Sequence, residues 1–169
     1  MTMRVHETLT LPLSAADAAA MYADPEYAGI RRDALGATSA TSTVEGDPAG
    51  EFTVRTELVL PTDRVPDVAR RFVGSTLTVR EVQSWSAPAA DGSRTGTSAL
   101  EVVGMPAGMT GSTRLSADGD AASTLDIDGE LTARVPLIGG RLEKAAVPYI
   151  SSVLRAEQQA AATYRERTA

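Results

Sequence analysis

One alternating stretch holds the side chains best placed for chemistry. In residues 77–85, LTVREVQSW, a period of two sets Glu81, Gln83 and Trp85 on the same face as Leu77 and Val79. On the concave face of a sheet, a carboxylate, an amide and an indole would then point into apolar surroundings, a mixture that orients a ligand with an apolar body and a polar end. A bulge or a frayed edge would reverse the face and leave Glu81 in water. Glu7, between Val5 and Leu9, is a second candidate inward carboxylate. Two buried acids would share the pKa-raising environment that general acid–base chemistry uses.

Other chemistry fails on inventory. His6 is the only histidine and there is no cysteine, so a histidine-dependent triad, a multi-histidine metal site and thiolate chemistry are excluded within one chain. His6 alternates with Arg4 and Thr8, opposite the apolar set, and reads as a surface residue. Asp126, Asp128 and Glu130 share one strand face, about 7 Å apart in succession, and read as a solvated edge rather than a cation site. The glycines of 104–111 lack the lysine of a phosphate loop and open a strand. No cofactor and no metal is expected.

The chain has 169 residues and a formal net charge of −6, enough for one domain with a sizeable core and the wrong sign for a phosphate backbone. Nucleic acid is therefore not an expected partner. The adjacent basic pairs Arg31-Arg32 and Arg70-Arg71 sit among carboxylates on short helices and read as solvated faces. The start of the chain goes straight into strand alternation and no apolar run reaches spanning length, so we expect a cytoplasmic protein without integral membrane contact.

These side chains need a sheet and a lid to position them. Residues 3–11 alternate as a first strand, Ser14 caps a short helix over 15–23, and a second helix over 26–35 closes at Gly36. Strands follow at 37–44, 51–60, 76–85, 95–103, 109–115 and 123–135, with a short helix after the third strand. Phe52, Val54 and Leu58 face inward on the 51–60 strand. After Pro136, Leu142, Ala146, Tyr149, Ile150, Val153, Ala160 and Tyr164 recur at three and four, a helix of about 37 Å with one apolar face. Gly139 and Gly140 read as a hinge that takes positive φ or approaches the sheet closely, and Pro148 as a kink. Successive hairpins with one long helix give an α+β fold, a curved antiparallel sheet of about seven strands wrapped on the C-terminal helix. Its inner face is too broad for the helix to fill.

This order resembles the helix-grip fold of the START, Bet v 1 and polyketide-cyclase (SRPBCC) superfamily over nearly the whole chain. The junction Val135-Pro136-Leu137-Ile138-Gly139-Gly140-Arg141-Leu142-Glu143, with Val82-Gln83-Ser84-Trp85 and Gly104-Met105-Pro106, is similar to the bacterial family named domain of unknown function 2505. The resemblance implies a single helix-grip domain over 1–169 and a cavity for a small hydrophobic or amphipathic molecule, such as a lipid or polyketide. The expected walls are Phe52, Val54, Leu77 and Val79, then Trp85 and Met109, then Tyr149 and Val153, with Glu81 and Gln83 as polar members. Two alternatives stand beside it. One is a cyclase or aromatase using Glu81 or Glu7, and the other a protein-interaction domain with an exposed apolar patch and no cavity.

Overall fold

The computed structural model describes residues 2–168. The first strand, β1 (Met3–Leu11), buries Val5, Leu9 and Leu11 and exposes Arg4, His6 and Thr8, as the alternation requires. Helix α1 (Ala15–Tyr22) starts where the Ser14 hydroxyl accepts the Asp17 N–H at 3.1 Å, with the Asp17 carboxylate near the positive end of the dipole. Helix α2 (Glu26–Leu35) ends on Gly36 at φ 66°, a left-handed cap that glycine adopts without penalty.

A meander follows through β2 (Ser39–Gly46), β3 (Phe52–Pro61), the short helix α3 (Asp67–Arg70), β4 (Thr76–Trp85), β5 (Arg94–Val102), β6 (Ala107–Ala117) and β7 (Ser123–Ala133). The sheet order is β1-β7-β6-β5-β4-β3-β2, antiparallel throughout. Strand β1 thus closes onto the last strand of the meander, and helix α4 (Gly139–Thr168) crosses the concave face. At 30 residues α4 measures about 45 Å. Pro148 lies inside it, exposed, where its missing N–H faces water and not the core.

Strands β6 and β7 approach closely at a pair of glycines. Gly111 and Gly129 are cross-strand partners, and a Cβ on Gly111 would lie 2.7 Å from the Gly129 Cα. A side chain has no room at Gly111, whereas one at Gly129 would press on Met109 and the Thr110 carbonyl at 3.2 Å.

Three expectations are corrected. The 37–44 strand runs from Ser39 to Gly46, because Ala37 still closes the end of α2 with its N–H on the Arg32 carbonyl and the chain first meets β3 at Thr38, whose N–H donates to the Val59 carbonyl. The last strand stops at Ala133, not Val135, and α4 starts at Gly139. The glycine pair is therefore the first turn of the helix. Neither glycine takes positive φ, and the reversal falls on Leu137, at φ 71° and fully exposed. The close approach expected of the glycines does hold for Gly139, whose added Cβ would run into the Ala133 carbonyl oxygen.

Candidate functional site

Between the sheet and α4 lies a cavity of about 150 Å³. Its sheet wall is Leu58 and Leu60 of β3, Leu77 and Val79 of β4, Leu100 and Val102 of β5, Met109 of β6 and Leu131 of β7. These are alternate residues on one face, and the register pairs Leu58 with Val79 and Leu60 with Leu77. The opposite wall is one stripe of α4, with Leu142, Ala146, Tyr149, Ile150 and Val153 at helical spacing, and Ala69 of α3, with Pro66 just before that helix, adds the side. Leu77, Val79, Val102, Met105, Tyr149 and Ile150 keep partial exposure, which places the opening between α3, α4 and the adjoining strand ends.

The inner end is polar. Glu81 of β4 accepts from Arg31 of α2 in a forked pair, Nη1 to Oε1 at 2.9 Å and Nη2 to Oε2 at 3.3 Å. Glu157 of α4 lies 3.6 Å from the same guanidinium and accepts the Tyr22 hydroxyl at 2.9 Å. All three charged side chains are buried. Burial alone would lower the Arg31 pKa, but Glu81 and Glu157 outweigh it and hold the guanidinium above its ordinary value. The Glu157 pKa is raised as well, which for an acid favours the neutral form. Burial pushes its carboxyl up, against the pull of Arg31 and of the Tyr22 hydroxyl. Both Glu81 oxygens are engaged by the guanidinium, whereas Glu157 shares it at the longer distance and accepts the Tyr22 hydroxyl.

A second carboxylate stands at the other end of α4. Glu143 is 1% exposed. Its Oε2 accepts the Ala133 N–H at 2.9 Å, tying the first turns of α4 to the end of β7. Its Oε1 is buried without a partner.

Of the residues expected to form the site, Leu77, Val79, Glu81, Met109, Tyr149 and Val153 line the cavity. Phe52, Val54, Gln83 and Trp85 do not, although they share the same concave face. Trp85 stacks on Tyr22 at 5.6 Å, Tyr22 meets Tyr27 edge-on at 5.6 Å, and Tyr27 meets Tyr164 at 6.1 Å. Helices α1 and α2 and the C-terminal half of α4 thus fill that end of the sheet with aromatic rings, and the Arg31–Glu81 pair marks where filling stops. Phe52 lies under the Arg94 guanidinium, which donates to the carbonyls of Pro48, Gly50 and Ser86 and closes that end. Glu7 is also placed off the cavity, 3.3 Å from Arg155 on the edge of α4.

The solvated reading of Arg31 is corrected, while Arg32 is exposed beside Asp33. Tyr27, Ile30, Arg31 and Ala34 recur at three and four, so Arg31 belongs to the inward stripe of α2. Glu157 carried the same signal. It falls between Val153 and Ala160 on the apolar face of α4, where a carboxylate must find a partner. Glu143, next to Leu142, gave no comparable sign, since its burial depends on Gly139 bringing the helix against Ala133.

A family model described as Protein of unknown function (DUF2505) matches residues 6–164. The chain belongs to that family. No curated protein matches its sequence. Among solved structures it is similar to the Zhui aromatase/cyclase from Streptomyces, with TM-score 0.61, 18% identity, and 99% of this chain and 95% of that one covered. A START superfamily protein from Mycobacterium smegmatis aligns with TM-score 0.58 and 12% identity over 95% of this chain and 98% of that one. Norcoclaurine synthase from Thalictrum flavum aligns with TM-score 0.54 and 14% identity over 99% of this chain and 88% of that one. At these identities the likeness establishes the helix-grip fold that the strand order implied.

Proposed function

We propose that this protein binds a small apolar or amphipathic molecule in the cavity between the sheet and α4. The observation that carries this is the division of the concave face. One end is packed solid with aromatic rings, while the other keeps an open, apolar-walled space of about 150 Å³ that ends on the Arg31–Glu81–Glu157 cluster. An apolar wall with a few fixed polar groups is the usual build of a small-molecule site. Leu77, Val79, Met109, Tyr149 and Val153 would hold the apolar body, and Glu81 would act through its fixed partner Arg31.

Nile red fluorescence tests this reading. The dye should brighten on binding the native protein, and Val79→Phe or Val153→Phe, which fill the space, should remove most of the enhancement without unfolding the chain. Equal enhancement in a folded, filled variant would place the dye elsewhere and defeat the proposal. Trp85 is not the probe of choice, because its ring is buried against Tyr22, away from the cavity.

Glu157 favours a second reading, an enzyme acting on a carbonyl-bearing substrate. A carboxyl pushed up by burial, on the cavity wall, is a candidate proton donor. The Zhui structure is named as an aromatase/cyclase, and norcoclaurine synthase is seen with dopamine and hydroxybenzaldehyde. The enzyme reading requires Glu157→Gln to bind a substrate normally and fail to turn it over. An interaction domain calls for an exposed apolar patch and no cavity; Phe72, Val103 and Leu137 are exposed, but the cavity stands against that reading.

A further inference from the structure

Resting on the ligand-cavity reading above, we infer that the ligand carries a hydrogen-bond donor, a hydroxyl or an amine, aimed at Glu143, and that free carboxylic acids are selected against.

The wall holds four charged side chains, Arg31, Glu81, Glu143 and Glu157, and they are unequally satisfied. At the inner end, Arg31 is matched by two carboxylates. No positive charge is left over there for an anionic ligand. At the other end, Glu143 Oε2 is engaged by the Ala133 N–H, while Oε1 is buried with nothing donating to it. No ion pair reaches Glu143 among the described residues.

A buried carboxyl oxygen that nothing donates to is costly to leave unpaired, and a donor brought to it recovers that cost. The group that completes the site is therefore an O–H or N–H on the ligand. A ligand carboxylate there would set two acceptors against each other. Glu143 and Glu157 are fourteen residues apart on α4, about 21 Å along the helix. The space between them is walled mainly by aliphatic side chains, with Tyr149 among them, so the donor sits at one end of an apolar body.

The test uses three molecules that share a decyl chain: decanol, decylamine and decanoate, titrated calorimetrically at neutral pH. The native protein should bind decanol and decylamine about tenfold or more tightly than decanoate. Glu143→Gln keeps an oxygen for the Ala133 N–H and turns an amide N–H₂ toward the cavity, replacing acceptor by donor. It should shrink or reverse that gap, with decanoate gaining and decylamine losing. Decanoate binding the native protein as well as decanol does, or a gap unchanged in Glu143→Gln, would overturn the inference while leaving the cavity reading intact. Failure of all three to bind would sink the cavity reading and this inference together. The native ordering decides the matter even if the variant does not fold.

Discussion

Arg31 and Glu81 meet as a forked pair, 2.9 and 3.3 Å between their heavy atoms, at the line where the packed half of the concave face ends and the open half begins. Both side chains are more than nine-tenths buried. The pair links α2 to the middle of the sheet, and through Glu157 to α4, so three elements share one charge cluster.

Removing one partner should therefore be far worse than removing both. Arg31→Met leaves two carboxylates without their cation and is expected to lose about 3–5 kcal/mol of unfolding free energy. Arg31→Met with Glu81→Met should recover much of that loss. Urea unfolding of the three proteins measures it, and an Arg31→Met variant within about 0.5 kcal/mol of the native protein would show that the cluster is not holding the elements together.

Glu157 gives the cluster a pH dependence whose sign is fixed. Burial raises its folded pKa above the ordinary 4.5, so in the window just above that value the folded protein holds a proton that the unfolded chain has released. Stability from this group is complete below 4.5 and is lost as pH rises through the folded value. The stability difference between the native protein and Glu157→Gln should shift against the native protein as pH rises from about 4 to about 8. A flat difference across that range would mean Glu157 ionises as freely folded as unfolded.

The four tyrosines offer an optical counterpart. Burial raises all of them: Tyr22 and Tyr27 strongly, Tyr149 less, and Tyr164, which also donates to Asp24, to about 12. At pH 10, where an unperturbed tyrosine is half ionised, the folded protein should show little tyrosinate absorbance, and the urea-unfolded protein roughly half of its maximum. Raised folded values also mean that stability falls as pH climbs beyond 10. A folded titration that overlays the unfolded one would contradict the packing of these rings.

Much of this arrangement was legible in the sequence because it follows from periodicity. Leu77, Val79 and Glu81 had to share a face, and Tyr149 and Val153 had to share a stripe. What periodicity could not supply was depth along that face. Trp85 and Leu77 are equivalent by alternation, yet one is covered by Tyr22 and the other borders the cavity. That difference is set by where α1 and α2 dock, which depends on contacts distant in sequence. Charge was misjudged for a related reason. Arg31 beside Arg32 looks like a solvated pair when read as neighbours, and like an inward residue only when read at helical spacing with Tyr27 and Ile30. The glycines were placed correctly as small and wrongly as a hinge, since Leu137 takes the positive φ.

The junction of β7 with α4 gives the last prediction. Ala133, the final residue of β7, is held from two sides by the opening turns of the helix: its N–H donates to Glu143, and Gly139 lies against its carbonyl oxygen with no room for a Cβ. Alanine in a helix is ordinarily better than glycine by about 1 kcal/mol, so substitution at Gly140, which is exposed, should be neutral or mildly stabilising. At Gly139 the clash reverses the sign. Gly139→Ala is expected to lose about 1–3 kcal/mol, as overpacking does, and to push the first turn away from Ala133. Because that turn also carries Glu143 toward the cavity, Gly139→Ala should weaken decanol binding, whereas Gly140→Ala and Asp126→Ala, on the outer strand face, should not. Thermal unfolding and calorimetry on the same three variants separate the cases. A destabilised Gly139→Ala with native affinity would confine Gly139 to folding, and one unchanged in both would mean that α4 does not rest on Ala133.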